Sequence, residues 1–69
     1  MNLNTKLELA LDIISTKIAM ESRNGYGVES EVMQDLIRDK SLVYCCDERA
    51  LDKVIQTYGP EIKQEYKES

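Results

Sequence analysis

Apolar residues recur every three or four positions in three stretches of the chain, and this spacing predicts three amphipathic helices. In the first stretch, from about Thr5 to Ser22, Thr5 and Glu8 have the spacing of a capping box, which predicts that the helix begins at Thr5. Asn24 or Gly25 is expected to end it, because both residue types tolerate positive φ. Its main apolar stripe contains Leu3, Leu7, Ala10, Leu11, Ile14 and Ile18.

A second apolar set, Leu9, Ile13 and Met20, lies on a different arc of the same helix. Such a helix is either packed between two neighbours within the fold or offers one side to another chain. We therefore predict a protein interface at Leu9, Ile13 and Met20. Tyr26 lies between two glycines of the following loop and has two interpretations, an anchor that folds back onto the core or a partner contact, and we include it among the interface candidates.

The second helix is predicted from about Val28 or Ser30 to Lys40. Acidic residues in its first turn and basic residues in its last turn suit the helix dipole. The apolar run in residues 41–46 lacks a second strand to pair with, which favours a buried turn or a short helical turn. The predicted stripe of this helix contains Val28, Val32, Met33, Leu36 and Ile37.

Asp47 is expected to cap a third helix over about Glu48 to Tyr58, and Gly59 with Pro60 is expected to stop it. Pro60 can then begin a short final helix, which holds only if Ile62 and Tyr66 dock. The prediction is an all-α fold in one domain, residues 1–69, a small three-helix bundle with a short C-terminal helical tail. The stripe of the third helix contains Ala50, Leu51, Val54, Ile55 and Tyr58.

Size and composition argue against catalysis. A chain of 69 residues has a small core and little room for a deep pocket lined with polar groups. It contains no His, the commonest general base and a frequent metal ligand. We therefore expect no enzyme activity, no catalytic residues, no cofactor and no metal site.

The two cysteines, Cys45 and Cys46, are adjacent and cannot join distant parts of the chain. A disulfide between neighbouring residues needs a strained backbone, so two free thiols in a reducing compartment are expected. The main interpretation is that at least one cysteine is a small core residue. Redox sensing, or a metal site completed by a second chain, are the alternatives.

The charge pattern bears on partners and location. The net charge is −4, and acidic residues outnumber basic ones on the third helix, which argues against direct binding to nucleic acid. Charges interrupt every apolar run near the start, so neither a signal peptide nor a membrane span is expected, and we predict a cytoplasmic protein. The acidic surface also suggests an inhibitor that occupies the basic site of a nucleic-acid-binding protein.

The segment Leu51-Asp52-Lys53-Val54-Ile55-Gln56-Thr57-Tyr58 resembles the end of the helical-hairpin sporulation phosphatases, which act on aspartyl-phosphate response regulators. Their signature is Ser-Gln-Glu-Leu-Asp, followed by an apolar pair and often a Tyr. Leu51 and Asp52 match its Leu-Asp, whereas Glu48, Arg49 and Ala50 stand in place of Ser-Gln-Glu. The resemblance implies that a chain of this kind can be a regulator, and the phosphatase activity is not carried over.

The sequence therefore predicts a small interaction and regulatory module that binds a larger protein through an apolar helix face, as a homodimer. The partner is a protein of unknown identity. The acidic inhibitor described above and a small stabilising subunit of a larger assembly are the alternatives.

Overall fold

The computed structural model describes residues 2–62 and confirms the all-α fold. Within those residues the helices are α1 (Leu3–Arg23), α2 (Glu31–Tyr44) and α3 (Glu48–Lys53). A π-helical segment, Val54–Tyr58, follows α3 directly, and residues 59–62 are again helical. We call residues 48–62 together the third helix.

The start of α1 differs from the prediction, whereas its end agrees. Asn2 caps the helix, because its side-chain oxygen accepts a hydrogen bond of 2.8 Å from the Thr5 N–H. The predicted capping box at Thr5 is therefore wrong, and the helix begins at Leu3. At the other end Asn24 is the C-cap and Gly25 adopts a φ of 98°, as the left-handed cap requires.

The buried face of α2 agrees with the prediction only in part, because Met33 and Leu36 are buried whereas the other predicted residues are exposed. Ser30 caps the helix by accepting a hydrogen bond from the Met33 N–H, so Val28 lies before the helix and is 71% exposed. Val32 and Ile37 are also exposed. The helix runs one turn beyond Lys40, so the expected pairing of basic residues with its last turn is absent. The residues that α2 buries are Met33, Leu36, Asp39 and Val43.

Residues 41–46 form the last turn of α2 and a tight corner, which agrees with the helical-turn alternative. Cys46 has a φ of 60°, in the left-handed region that usually favours glycine. Its N–H donates to the Val43 carbonyl, and the Asp47 N–H donates to the Leu42 carbonyl. The Asp47 side chain then accepts hydrogen bonds from the first turn of α3, which confirms the predicted cap.

The predicted stop at Gly59 and Pro60 is wrong. Gly59 has helical dihedrals, φ −56° and ψ −52°, and its N–H donates to the Val54 carbonyl five residues earlier. The wider π turn lets the chain continue through Pro60, where a regular α-helix would meet the proline ring. Ile62 is buried, as the predicted tail requires. Tyr66 lies outside the described residues.

One core cluster joins the three helices. A seven-residue loop connects α1 to α2, which pack against each other, and the third helix packs against both. The Cα envelope is only 14 Å deep, little more than one helix diameter. The predicted stripe of the third helix is confirmed, with Ile55 and Tyr58 half-buried at its edge. The cluster contains Ala10, Ile14, Met33, Leu36, Val43, Ala50, Leu51 and Val54.

Two glycine substitutions should have opposite effects. A Cβ on Gly59 would lie 3.5 Å from the Ile13 Cδ1, an ordinary contact, so Gly59→Ala should raise the free energy of unfolding by about 0.5–1 kcal/mol through helix propensity. Gly25→Ala should lower it by about 1–2 kcal/mol, because φ is 98° there. Urea denaturation of both variants measures this, and a destabilised Gly59→Ala variant would contradict the packing described here.

Candidate functional site

The structure does not bring the four predicted interface residues together on an open surface. Met20 is buried at 6% exposure, and Ile13 packs against the core beside Gly59. Leu9 is half-buried, and Tyr26 is exposed in the loop between α1 and α2. The second apolar arc of α1 is therefore largely buried or half-buried within the chain.

A different apolar surface remains open on α2. Ile37 and Tyr44 are seven residues apart, which places them on one side of the helix, and they are 42% and 64% exposed. The Lys40 Nζ lies 5.9 Å from the centre of the Tyr44 ring. Asp39 faces the third helix, and Ile37 and Tyr44 lie about 140–160° around α2 from it.

The adjoining side of α1 is also apolar. Leu7, Leu11 and Ile18 share one arc of α1 and are half-buried at the edge of the core. They lie about 120° around the helix from the side that meets the third helix, where Ile13 and Lys17 make their contacts. We define the hairpin face as these half-buried residues of α1 together with the two exposed residues of α2. It consists of Leu7, Leu11, Ile18, Ile37 and Tyr44.

A buried carboxylate ties α2 to the third helix. Asp39 is only 4% exposed, and its carboxylate accepts hydrogen bonds from the Lys53 Nζ at 3.0 and 3.2 Å. The Tyr58 hydroxyl donates to the same carboxylate at 2.9 Å. A buried charge is costly unless it is paired and hydrogen-bonded, and here both conditions are met. We call these three residues the Asp39 cluster.

The Asp39 cluster raises the pKa of Tyr58 to about 12. Burial is the main cause, because it disfavours the phenolate, and the hydrogen bond and charge of Asp39 act in the same direction. The hydroxyl therefore stays protonated and continues to donate far above neutral pH. The Asp39 carboxylate is buried and accepts three hydrogen bonds from the third helix, so we assign the cluster a structural role.

Sequence reasoning missed the Asp39 cluster, although the chain carries a signal for it. Asp39 is three residues after Leu36 and four before Val43, so it occupies a stripe position of α2. A charged residue at such a position predicts a buried polar contact with a neighbouring helix. The predicted stripe of α2 was limited to apolar residues, so it included Val28 and Val32 and left out Asp39.

Two ion pairs join α1 to the third helix along its length. The Lys6 Nζ lies 2.6 Å from the Asp52 carboxylate, and this hydrogen bond raises the pKa of Lys6. The Lys17 Nζ lies 3.0 Å from Glu61 and 3.1 Å from Glu21. Burial alone would lower the pKa of Lys17, but hydrogen bonds to the two glutamates outweigh it and raise the pKa. The third helix is thus held against α1 at both ends.

Both cysteines are exposed, so the expectation that at least one is a core residue is wrong. They lie at the corner between α2 and α3, where the chain turns away from the core. Among residues 2–62, no group of three or more Cys, Asp, Glu or His side chains is arranged to hold a metal ion. In the same part of the chain, no helix has the length and apolar character needed to cross a membrane.

Comparison with known proteins gives no relative from which a function could be transferred. No protein-family model, no curated protein and no solved structure matches the chain. Its function must therefore be argued from its own surface.

Replacing Ile13 with Glu should unfold the chain, whereas replacing Ile37 with Glu should not. Ile13→Glu places a charge against the core beside Gly59 and should cost about 3 kcal/mol or more. Ile37→Glu changes an exposed position and should alter the free energy of unfolding by about 0.5 kcal/mol at most. Circular dichroism during urea denaturation compares the two variants, and equal losses would contradict the assignment of Ile37 to an open face.

The stability that Tyr58 contributes should depend on pH in the alkaline range. The pKa of Tyr58 is raised in the folded chain from 10.0 to about 12, so the neutral phenol stabilises the fold fully below pH 10. That contribution is lost as the pH rises through about 12, when a phenolate would face the Asp39 carboxylate. At pH 7, Tyr58→Phe should lower the free energy of unfolding by about 1–2 kcal/mol.

Urea denaturation of the wild-type chain and the Tyr58→Phe variant between pH 7 and 12 checks this. Groups other than Tyr58 titrate in both chains, so the difference between them isolates Tyr58. The difference in the free energy of unfolding between the two chains should be constant up to pH 10 and should then shrink. A difference that does not change with pH would show that the hydroxyl does not donate to Asp39.

Proposed function

We propose that the chain is a protein-interaction module that associates with a second copy of itself through the hairpin face and regulates a larger protein by helix-face binding. The observation that carries the proposal is the exposure of Ile37 and Tyr44 beside the half-buried Leu7, Leu11 and Ile18. Exposed apolar side chains at the edge of a core are typical of an interaction surface. The location that we propose is the cytoplasm.

The dimensions of the hairpin face favour a weak, concentration-dependent contact. The 14 residues of α2 are about 21 Å long, and two adjacent helices are about 20 Å wide, which gives a footprint of about 400 Å² for each copy. Two such faces bury about 800 Å², below the 1,200–2,000 Å² of standard stable interfaces. A dissociation constant in the micromolar range is therefore expected.

The acidic-inhibitor alternative has less support. Asp35, Asp39, Asp52 and Glu61 each lie within 4.0 Å of a Lys or Arg of the same chain. Such pairs reduce the negative field that a basic protein would meet. The closed core likewise favours a chain that folds alone over a subunit that depends on a larger assembly.

Light scattering behind size exclusion, in reducing buffer over a wide concentration range, tests the self-association. The mass should rise from 7.9 kDa towards twice that value, and Ile37→Glu should hold it at the lower value. Val28→Glu is the matched control, because Val28 is exposed and apolar but lies outside the hairpin face. A dimer built on apolar contacts should be nearly indifferent to salt, whereas an acidic complex would weaken steeply.

A mass of 7.9 kDa at every concentration would show that self-association is wrong and would leave binding to another protein to be tested. A photo-crosslinking amino acid at Tyr44, in the cells that produce the chain, would then report what covers the hairpin face, with Arg49 as the control position. Adducts that depend on Tyr44 and disappear with Ile37→Glu would support the interaction module. Equal adducts from Arg49, or none, would refute it.

A further inference from the structure

The end of α1 contains the pair Asn24-Gly25, and the cap on this helix bears on the chemistry of Asn24. Of the three asparagines in the chain, Asn24 alone precedes a glycine, and both residues of the pair are exposed. The side-chain amide of an asparagine is lost when the backbone nitrogen of the next residue attacks the Cγ. Glycine permits this attack best, because it has no Cβ to obstruct the approach. Asn24 is therefore the asparagine of this chain that is most open to the reaction.

The reaction requires no reagent other than water. The Gly25 nitrogen forms a bond to the Asn24 Cγ and loses its proton, which leaves with the side-chain nitrogen as ammonia. The product is a five-membered succinimide ring, and water then adds to one of its two carbonyl groups. The ring opens to aspartate when the bond between Cγ and the Gly25 nitrogen breaks. It opens to isoaspartate, in which the main chain runs through the side chain, when the bond to the backbone carbonyl breaks.

The folded chain holds the Gly25 nitrogen away from the Asn24 side chain. Ring closure needs this nitrogen and the Asn24 Cβ to lie on the same side of the Cα–C bond, which corresponds to a ψ of about −120°. The ψ of Asn24 is 1°. The backbone must therefore rotate by about 120° at this bond before the nitrogen can reach the Cγ.

Two hydrogen bonds oppose that rotation. The Gly25 N–H donates to the Ser22 carbonyl at 3.1 Å. The Tyr26 N–H donates to the Glu21 carbonyl, also at 3.1 Å, and the two bonds together form a Schellman motif. Rotation about ψ of Asn24 turns both N–H groups away from α1, so both bonds break. The nitrogen that must attack is itself the donor of one of them.

We infer that Asn24 is a site of spontaneous deamidation and that the hydrogen-bonded cap of α1 sets its rate in the folded chain. The reaction proceeds only in molecules whose cap is open, so its rate falls by the factor that favours the closed cap. Two hydrogen bonds of ordinary net strength give a factor of about 10–100. This chemistry lies within one copy of the chain and does not depend on the proposed interaction through the hairpin face.

The products cannot restore the cap in full. Isoaspartate adds one atom to the main chain, so the N–H groups of Gly25 and Tyr26 no longer lie at the spacing that the Schellman motif needs. Both products also place a negative charge at the C-terminal end of α1, where the helix dipole disfavours it. The net charge of −4 becomes one unit more negative, and the loop that contains Tyr26 loses its hydrogen bonds to α1 in the isoaspartate form.

Incubation of the chain at mildly alkaline pH, folded in buffer and unfolded in urea, tests the inference. Trypsin cleaves after Arg23 and Arg38, so residues 24–38 form one peptide in which Asn24 is the only asparagine. Mass spectrometry of this peptide measures the conversion of the amide to an acid. The conversion should occur in both states and should be about 10–100-fold slower in the folded chain. Equal rates, or no conversion in urea, would overturn the inference.

Two further substitutions separate opening of the cap from unfolding of the whole chain, each compared with its own rate in urea. Tyr26→Pro lacks the N–H that donates to Glu21, so the folded variant should be converted faster than the wild-type chain. Tyr26→Phe keeps that N–H and is the matched control. Gly59→Ala changes stability far from the cap and should leave the rate unchanged. A Tyr26→Pro rate equal to that of Tyr26→Phe, or a rate that follows the stability of Gly59→Ala, would show that the cap does not control the reaction.

Discussion

A single buried charge organises the third helix. Asp39 occupies a core position of α2, where its carboxylate must be paired and hydrogen-bonded. Lys53 supplies the charge and Tyr58 a second donor, but both reach Asp39 only because the π turn rotates the end of the helix. The contacts of Gly59 and Glu61 with α1 follow from that rotation. Such a polar contact adds little net stability, but removal of one partner would leave a buried group unpaired and would be strongly destabilising.

The thinness of the fold gives these polar contacts weight. The Cα envelope is 14 Å deep, and the largest side chains less than 2% exposed in the described part of the chain are Ile14, Leu36, Leu51, Val43 and Val54. So small a core supplies little stability. Ion pairs at Lys6 and Lys17 hold the third helix to α1 but are partly exposed, and each contributes little. The buried carboxylate of Asp39, with its two donors, is therefore the strongest polar contact between α2 and the third helix in that part of the chain.

Local signals in the sequence predicted local structure well. The three helices, the cap at Asp47 and the turn at Gly25 depend on residues close in the chain, and they were predicted. The buried face of α2 was predicted only in part, because it includes Asp39, whose partners lie 14 and 19 residues away. Gly59 and Pro60 were predicted to end the third helix, because no pattern in the neighbouring residues indicates that a π turn continues the helix past them. The spacing on α1 likewise could not show that Met20 is buried and that Ile13 packs against Gly59 within the chain.

α1 carries two apolar surfaces, and they differ in how they pack within the chain. A stripe on one helix cannot show whether a partner helix comes from the same chain or from another. Here Ile13 packs against Gly59 of the third helix. Leu11 and Ile18 lie about 120° around α1 from it and are half-buried at the edge of the core, whereas Ile37 and Tyr44 of α2 are exposed. Because Ile37 and Tyr44 are exposed, the hairpin face is where we propose to look for an interaction of this chain.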